Sequence, residues 1–352
     1  MSAAAGPAAR LLCRDSFVPP VGVHCTVRDD DTASPEGDRR FLNGVRRAVE
    51  KGVTLLDTAD SYGHGRAEQM LGKLQREYVH PLHLASKVGT LRGTAVHPYA
   101  GRRVHHQLQQ TLDNLQVERL ALYTLAAVDF GPADRYLQPV SDQMSELRRL
   151  GHIEAIGMRG PQINCLRSPE AVTRRIERFL YLFDHVQPDV LWIRFDPFAP
   201  AALIDGEDLF SFATQRGVSL LLAPPERFLA GVPAGSARYT PDTHGAVGGP
   251  SGSAPQGVSQ KRTSGCPVWC DSRAQSRQAL SSLALRYFLK KTPNGAVLID
   301  MGSEQQISEA LDRLRLPLTP LEFEMAESLY AALRAAGQPL AEDCVASPWT
   351  QA

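Results

Sequence analysis

Residues 41–57, FLNGVRRAVEKGVTLLD, combine an amphipathic helix, a glycine and a short apolar strand. Leu42, Val45 and Val49 recur at helical spacing. Gly52 follows as the residue that can close the last helical turn in a left-handed conformation. Residues 53–56 then form a short apolar run of the kind that becomes a buried strand. This helix–glycine–strand unit is the pattern from which the fold is predicted.

The same unit recurs along the chain. Apolar residues at helical spacing precede Gly151, Gly217 and Gly295, and the strands predicted after these glycines are 153–156, 218–222 and 296–299. Further strand-like runs are 83–88, 120–125 and 189–193. Alternation of apolar strands with helices indicates a parallel sheet covered by helices, because parallel strands need long crossover connections. About seven or eight units, with no glycine-rich phosphate-binding fingerprint, favour an α/β fold of the closed (β/α)8 TIM-barrel type over an open sheet.

Composition and charge exclude several classes of protein. The 352 residues carry 38 basic and 38 acidic side chains, so the formal net charge is zero. A chain without a basic field has no general attraction for nucleic acid or for an anionic membrane surface. Hydrophobic residues at 43% and charged residues at 22% are typical of a globular enzyme. No apolar run approaches the roughly 20 residues that span a bilayer, so we expect a cytoplasmic protein.

Cysteines are few and scattered. Cys266 and Cys270 form the one close pair among six cysteines, and no second pair or histidine lies near them in sequence. A structural zinc site needs four ligands, usually supplied as two close pairs. We therefore predict neither a metal site nor a disulfide framework.

One segment interrupts the repeating pattern. Residues 234–272 are rich in glycine, serine and proline, and they lack helical or strand periodicity. We expect a single barrel domain over residues 1–352, with a core of about 16–337 and this segment as a flexible loop insertion. The insertion follows a predicted strand, so it would leave the C-terminal face of the barrel, where active sites of this fold lie. A mobile flap over a pocket and a functionless insertion fit the composition equally well.

Three polar side chains stand near the predicted ends of neighbouring strands. Asp57 ends one strand, Tyr62 follows five residues later, and Lys87 ends the next strand. Adjacent strand ends are neighbours in a barrel, so these side chains are expected to converge. A nearby ammonium lowers the pKa of a tyrosine, and the aspartate keeps the lysine charged; such a phenol can exchange a proton with a carbonyl or alcohol oxygen. On the residues alone, a capping aspartate, a rim tyrosine and a solvated lysine are an equally good interpretation.

These motifs resemble a known family. Residues 55–63, LLDTADSYG, resemble the Asp-Thr-Ala…Tyr-Gly signature of the aldo-keto reductase superfamily, and residues 86–89, SKVG, resemble its Thr-Lys-Val-Gly segment. The resemblance covers about residues 21–337. It is strongest to the sugar-oxidising branch that includes L-galactose dehydrogenase and D-threo-aldose 1-dehydrogenase. It implies a barrel, a nicotinamide cofactor bound without a Rossmann domain, and a catalytic tetrad whose aspartate, tyrosine and lysine are Asp57, Tyr62 and Lys87.

The histidine of that tetrad is missing. The family's histidine falls at Ala126, and an alanine side chain neither donates nor accepts a hydrogen bond. In the family this histidine hydrogen-bonds the substrate oxygen and fixes its orientation. Loss of one such hydrogen bond costs about 10²–10³ in rate. His24, His64 and Asp129 belong to segments near the same predicted mouth of the barrel. Nothing in their order along the chain shows that one of them substitutes, so each is interpreted as a rim side chain without a role.

By the same resemblance, the cofactor-binding positions are Gly22, Arg159, Gly160, Asp300 and Gln306. Arg159 and Gly160 stand where the family commonly has small or polar residues that hold the nicotinamide carboxamide. Asp300 replaces a glycine, or the lysine of other branches. A carboxylate repels an adenosine 2′-phosphate and can hydrogen-bond a free 2′-hydroxyl. The predicted cofactor is therefore NAD or NADP, with NAD favoured, although a solvated loop carboxylate is an equally good interpretation of Asp300.

Three functions stay open at this stage. The preferred one is an NAD(P)-dependent oxidoreductase that interconverts a carbonyl (an aldehyde, ketone or sugar lactol) and an alcohol, with Tyr62 as general acid and base. The second is a non-redox enzyme on the same scaffold, such as a lyase, dehydratase or epimerase, in which the phenol removes a proton next to a carbonyl without any cofactor. The third is a binding protein that has lost catalysis. The expected partner is a small carbonyl or sugar-like molecule.

Overall fold

The computed structural model describes residues 9–13, 16–27, 34–78, 82–90, 94–161, 168–195, 203–204, 206–223, 274–292, 294–315 and 317–335. The strands in these ranges are β1 Arg10–Cys13, β2 Ser16–Val18, β3 Val21–His24, β4 Leu55–Asp57, β5 His83–Val88, β6 Leu120–Leu125, β7 Ile153–Arg159, β8 Val190–Arg194, β9 Ser219–Ala223 and β10 Gly295–Asp300. The helices are α1 Pro35–Glu50, α2 Arg66–Gln75, α3 Arg103–Leu115, α4 Leu137–Arg149, α5 Pro169–Val186, α6 Leu209–Gln215, α7 Ala274–Lys291, α8 Glu304–Asp312 and α9 Pro320–Ala335.

Eight of these strands close into a parallel barrel. Their order around the barrel is β10-β3-β4-β5-β6-β7-β8-β9, so β10 pairs with both β9 and β3. Helices follow the strands along the chain and pack side by side outside them, α1 against α2 and α8, and α3 against α2 and α4. The predicted (β/α)8 barrel is confirmed. Two predicted strands, 83–88 and 120–125, have the observed bounds, whereas the strand predicted at 53–56 is found at residues 55–57.

Glycine follows the C-cap of three helices as predicted, at Gly52, Gly151 and Gly217, whereas Gly295 is the first residue of β10 and lies four residues after the end of α7. Positive φ angles are found at all four glycines of the repeating unit, Gly52, Gly151, Gly217 and Gly295. At Gly295 the φ of 90° coincides with close packing, because a Cβ there would lie 2.0 Å from the carbonyl oxygen of Leu220. Any side chain at this position would therefore push β10 away from β9, where the barrel closes.

Helix α1 illustrates how an N-cap residue and the spacing of apolar residues determine where a helix begins and which face it buries. Its N-cap Ser34 accepts a hydrogen bond from the Gly37 N–H at 2.9 Å, which satisfies one of the unpaired donors of the first turn. Its buried residues are Gly37, Phe41, Gly44, Val45 and Ala48. Leu42 and Val49, which were predicted for this face with Val45, lie at its edges and are half-buried. The buried face is therefore rotated slightly from the predicted one.

A hairpin closes one end of the barrel. Strands β1 and β2 pair antiparallel, and Leu12 and Val18 are fully buried in the same cluster as Leu55 from the barrel interior. The Ser219 hydroxyl at the start of β9 donates to the carbonyl oxygen of Leu11 at 3.1 Å. The hairpin therefore lies at the N-terminal ends of the strands, and the opposite C-terminal mouth is the end at which the polar residues of the site lie.

Two expectations concern parts of the chain that these ranges do not cover. The insertion 234–272 and the Cys266–Cys270 pair lie outside the described residues. Within the described ranges, no helix combines the length and apolar character that crossing a bilayer requires.

Candidate active site at the C-terminal mouth of the barrel

A buried ion pair forms the base of the site. The ammonium of Lys87 donates to Asp57 Oδ2 at 2.6 Å and to the carbonyl oxygen of Thr58 at 2.8 Å. Asp57 is fully buried, and Lys87 is 6% exposed. Burial lowers the pKa of Lys87, and the charge and hydrogen bond of Asp57 oppose that change. Asp57 thus offsets part of the cost of burying the Lys87 amine inside the mouth of the barrel.

Tyr62 joins this pair from the loop after β4. Its backbone N–H donates to the carbonyl oxygen of Ala59 at 3.2 Å, and its half-buried side chain packs on the core. The ammonium of Lys87 lies 5.3 Å from the centre of the Tyr62 ring. A cation at this distance from an aromatic ring is attracted to its electron-rich face. The structure therefore brings Asp57, Tyr62 and Lys87 together.

His24 also belongs to this group, which corrects the expectation of a rim side chain. Its Nε2 lies 2.9 Å from the Tyr62 hydroxyl oxygen and 3.6 Å from Asp57 Oδ2. Its Nδ1 lies 3.1 Å from Asp300 Oδ1. His24 is register partner to Asp57 on one side and to Asp300 on the other, so three adjacent strands end in polar side chains at one level. A histidine at the end of a short strand was the only sequence signal for this contact.

The other two candidates for the missing histidine are placed differently. His64 lines a cavity on the side of α2 and α3, together with Asp60 and Arg103. The Asp129 carboxylate accepts the Gly131 N–H at 2.8 Å and lies 4.0 Å from His97.

The backbone at Ala126 is held by buried polar contacts. Its N–H donates to the carbonyl oxygen of Val88 at 2.8 Å. The hydroxyl of Tyr99, which is fully buried, donates to the Ala127 carbonyl at 2.9 Å and accepts the Ala127 N–H at 3.1 Å. Gly89 has a φ of 116°, and a Cβ there would lie 2.2 Å from the Tyr99 oxygen. These contacts keep the chain after β6 close to the end of β5.

Trp192 is a member of the site that the sequence reasoning missed. Its Nε1–H donates to Asp57 Oδ2 at 3.2 Å, and its ring centre lies 5.2 Å from the Lys87 ammonium. The guanidinium of Arg159 lies 5.5 Å from the same ring. The position of this tryptophan near the end of a predicted strand, as for Asp57 and Lys87, is the signal that could have identified it.

All five predicted cofactor positions have contacts within the chain, that of Arg159 being with the Trp192 ring. A Cβ on Gly22 would lie 2.8 Å from Leu298, and one on Gly160 would lie 2.7 Å from Ile193, so barrel packing accounts for both glycines. The Gln306 side chain accepts the Ser303 N–H at 2.9 Å as part of a capping box. Asp300 is bonded to His24 rather than being a free loop carboxylate. A direct cofactor role for these residues stays a prediction.

The residues present nevertheless fit a nicotinamide dinucleotide at two points. Helix α8 starts four residues after β10, and the N–H groups of Glu304 and Gln305 in its first turn have no acceptor within the helix. Such N–H groups suit a phosphate group. Arg159 adds a cation at the mouth, at the end of β7.

No group of three or more histidine, cysteine, aspartate or glutamate side chains in the described ranges is arranged to hold a metal ion.

Comparison with known sequences identifies relatives of this chain. The model of the aldo/keto reductase family matches residues 30–331. The L-galactose dehydrogenase of Arabidopsis thaliana is 22% identical over 270 residues, which cover 75% of each chain. Aldo-keto reductase YhdN of Bacillus subtilis (strain 168) is 29% identical over 126 residues, or 34% of this chain and 37% of that protein. The chloroplastic pyridoxal reductase of Arabidopsis thaliana is 29% identical over 136 residues, or 36% of each. The matched segments thus span little more than a third of the length of two of these relatives.

Solved structures share the fold. The glycerol dehydrogenase AKR11B4 from Gluconobacter oxydans superposes with a TM-score of 0.62 at 17% identity, covering 93% of this chain and 96% of that one. The aldo-keto reductase AKR11C1 from Bacillus halodurans gives 0.58 at 20% identity, with 91% and 95% covered. An aldo/keto reductase from Klebsiella pneumoniae in complex with NADP and acetate gives 0.58 at 17%, with 91% and 95% covered. With the family match over residues 30–331, the chain belongs to the aldo/keto reductase family, whose members are NAD(P)-dependent oxidoreductases.

Proposed function

We propose that this protein interconverts a small carbonyl compound and the corresponding alcohol, with Tyr62 as the general acid and base. The observation that carries the proposal is the cluster of Asp57, Lys87 and His24 around the side chain of Tyr62. A phenol exchanges protons poorly at neutral pH, since its ordinary pKa is about 10. A cation beside it favours the phenolate and makes that exchange easier.

The contacts of the described residues support a separate role for each of Lys87, Asp57 and Tyr62. Lys87 provides the positive charge, and Asp57 keeps the lysine protonated and fixed below Tyr62. In the reductive direction the hydroxyl of Tyr62 gives its proton to the carbonyl oxygen; in the oxidative direction the phenolate takes the proton of the alcohol. Because the ion pair is buried, its field acts in a low-dielectric surrounding, where it is stronger than in water.

A bound nicotinamide dinucleotide would supply or accept the hydride. Arg159 and the first turn of α8 are the groups of this chain that would hold it. The preference for NAD over NADP predicted from the sequence depended on a free carboxylate at Asp300, and this carboxylate is hydrogen-bonded to His24. We therefore propose NAD or NADP without preference; one of the Klebsiella pneumoniae neighbours is in complex with NADP and another with NADPH.

The substrate class follows from the relatives only as a proposal. Their names refer to L-galactose, pyridoxal and glycerol, all of which are small and carry at least two hydroxyl groups. We propose a small polar aldehyde, lactol or alcohol. The single domain over residues 1–352 and the cytoplasmic location stay predictions.

Two measurements on the purified full chain test the proposal. The first is titration with NADH and with NADPH, followed by nicotinamide fluorescence. The second is turnover of 4-nitrobenzaldehyde and pyridoxal with the reduced dinucleotides, and of L-galactose and glycerol with the oxidised ones. Tyr62→Phe should lower kcat by about 10²–10⁴, the range of general acid–base catalysis. Tyr181→Phe, which changes an exposed tyrosine on α5, is the matched control and should have no effect.

The alternatives predict different results. A non-redox enzyme would lose turnover of its substrate on Tyr62→Phe while added dinucleotide changes nothing. A binding protein without catalysis would behave alike with tyrosine or phenylalanine at residue 62. Failure of both dinucleotides to bind would contradict the proposed oxidoreductase.

A further inference from the structure

A continuous set of contacts links Tyr62 to a carboxylate on the last barrel strand. The Tyr62 oxygen lies 2.9 Å from His24 Nε2, and His24 Nδ1 lies 3.1 Å from Asp300 Oδ1. The His24 side chain is 6% exposed, and that of Asp300 is 24% exposed. The imidazole therefore bridges the phenol at the centre of the site and a partly solvated carboxylate.

The chemistry of the two partners sets the hydrogen positions on the imidazole. An ionised carboxylate only accepts hydrogen bonds, so Nδ1 carries a hydrogen and donates it to Asp300. Nε2 then accepts from the Tyr62 hydroxyl when the ring is neutral, and donates to the phenol oxygen when the ring is charged. A carboxylate that holds an imidazole in this way fixes its tautomer and stabilises the imidazolium.

Two carboxylates and one ammonium lie around the His24 ring. Asp57 and Asp300 face the ring from the strands on either side, with Asp57 Oδ2 3.6 Å from Nε2. The cation of the cluster, Lys87, is paired with Asp57 and thus offsets one of the two carboxylates. Trp192, whose ring centre lies 5.8 Å from the imidazole, covers another side. The Arg159 guanidinium, 5.5 Å from the centre of the same tryptophan ring, is a further charge near this group.

We propose that His24 supplies an imidazole to the site in place of the tetrad histidine absent at Ala126, by relaying a proton to Tyr62, and that Asp300 is its positioning residue. This inference rests on the proposed function and deepens it. During reduction the O–H bond of Tyr62 breaks as its proton joins the carbonyl oxygen, and Nε2 of the imidazolium gives its proton to the phenolate. Solvent then returns a proton to Nε2. During oxidation the same transfers run backwards, and a bound nicotinamide would supply the hydride in reduction and accept it in oxidation.

The experiment compares variants of the full chain in the turnover assay with 4-nitrobenzaldehyde and the dinucleotide that binds. His24→Ala should lower kcat by about 10²-fold, with the dinucleotide Kd changed less than about threefold. Free imidazole should restore at least about a tenth of the lost activity, because it can occupy the space of the removed ring and carry the same proton. Rescue of this kind separates proton transfer from a merely structural role. His185→Gln on α5 is the matched control, and it should match the wild type.

Asp300→Asn tests the positioning role without removing volume. It should lower kcat about tenfold or more, because the amide can hold the imidazole in the wrong tautomer, and free imidazole should not rescue it. Asp300→Glu should recover part of the activity. The pH profile of kcat should lose one ionisation in His24→Gln, a variant that keeps a polar side chain if the alanine variant does not fold.

The outcomes separate this inference from the proposed function. If the wild type turns over and Tyr62→Phe does not, but His24→Ala and His24→Gln stay within about threefold of the wild type, the oxidoreductase stands and the role of His24 is refuted. Loss of kcat in His24→Ala without imidazole rescue and without a changed pH profile also refutes it. If the wild type neither binds dinucleotide nor reduces any probe, the proposed function fails and the inference fails with it.

Discussion

Replacing Asp60 by asparagine should stabilise the folded chain, and increasingly so as the pH rises. Asp60 follows β4 and is 2% exposed. Both carboxylate oxygens are buried without a side-chain hydrogen-bond partner among the described residues, and the backbone N–H of Ser61 lies close enough to favour the ionised form. Burial, reinforced by Glu68, raises the pKa of Asp60 to about 8, although Ser61, Arg103 and Lys87 lower it. The acid is therefore neutral in the folded chain at pH values where a solvated aspartate is ionised.

The size and sign of the effect follow from proton linkage. An unfolded aspartate has a pKa of 3.8, so between that value and about 8 the folded chain holds a proton that unfolding releases. Unfolding therefore becomes more favourable as the pH rises through this window. The free energy of unfolding should fall by up to about 1.4 kcal/mol per pH unit. Asparagine resembles the neutral acid and has no proton to release, so this contribution disappears in Asp60→Asn.

Urea unfolding of both proteins at about pH 5, 6, 7 and 8 measures this difference. Glu68, whose pKa burial also raises, contributes to the slope of both curves, so their difference isolates Asp60. Asp113→Asn, which changes an exposed carboxylate on α3, is the matched control and should leave the slope unchanged. A stability difference between Asp60→Asn and wild type that is constant across this pH range would refute the reasoning.

Three further substitutions test the charge and packing of the barrel mouth and the packing of helix α2 against α3. Lys87→Met should abolish measurable turnover. It should also destabilise the fold by about 3–5 kcal/mol in urea unfolding, because the buried Asp57 loses its ion partner. Unchanged stability would contradict the importance of the Lys87–Asp57 ion pair for the fold. Trp192→Phe removes a 3.2 Å hydrogen bond to Asp57 and should cost about 1 kcal/mol by the same assay; a loss above about 3 would show that ring packing matters more. Gly72→Ala places a Cβ 2.2 Å from the Asn114 carbonyl oxygen and should cost about 1–3 kcal/mol; an unchanged melting temperature would show that α2 and α3 can separate freely.

Local patterns predicted most of the barrel because each unit carries its own signals. The strands at 83–88 and 120–125 match the structure residue for residue, since both are apolar runs with a clear helix on at least one side. Strand β3 has only four residues, Val21–His24, and none of the described residues before it forms a helix. A run that short has no periodicity of its own, and its place between β10 and β4 is set by closure of the barrel.

The candidate site likewise has one part that the sequence predicts and another part that only the folded barrel brings together. Asp57, Tyr62 and Lys87 lie within 31 consecutive residues, on two successive units whose strand ends must be neighbours. The contact of His24 with Asp300 joins residues 276 positions apart, and that of Trp192 with Asp57 joins residues 135 apart. Such contacts exist only once the first strand has met the last and the barrel interior has filled. Sequence spacing cannot reveal them, although each of these side chains lies at or near the end of a strand.

The position of His24 shows what a barrel active site requires of its scaffold. An imidazole must reach the phenol oxygen at hydrogen-bond distance, and any strand that ends at the right level around the mouth can supply it. Strand β3 meets this requirement because its last residue is in register with Asp57 on β4, and the other neighbour, β10, ends in a carboxylate that can orient the ring. The requirement is thus one of level in the barrel and not of strand identity. The alanine at residue 126 consequently leaves the family's histidine position empty of an imidazole, while His24 still brings an imidazole to the site. A comparison of motifs along β6 alone would overlook His24.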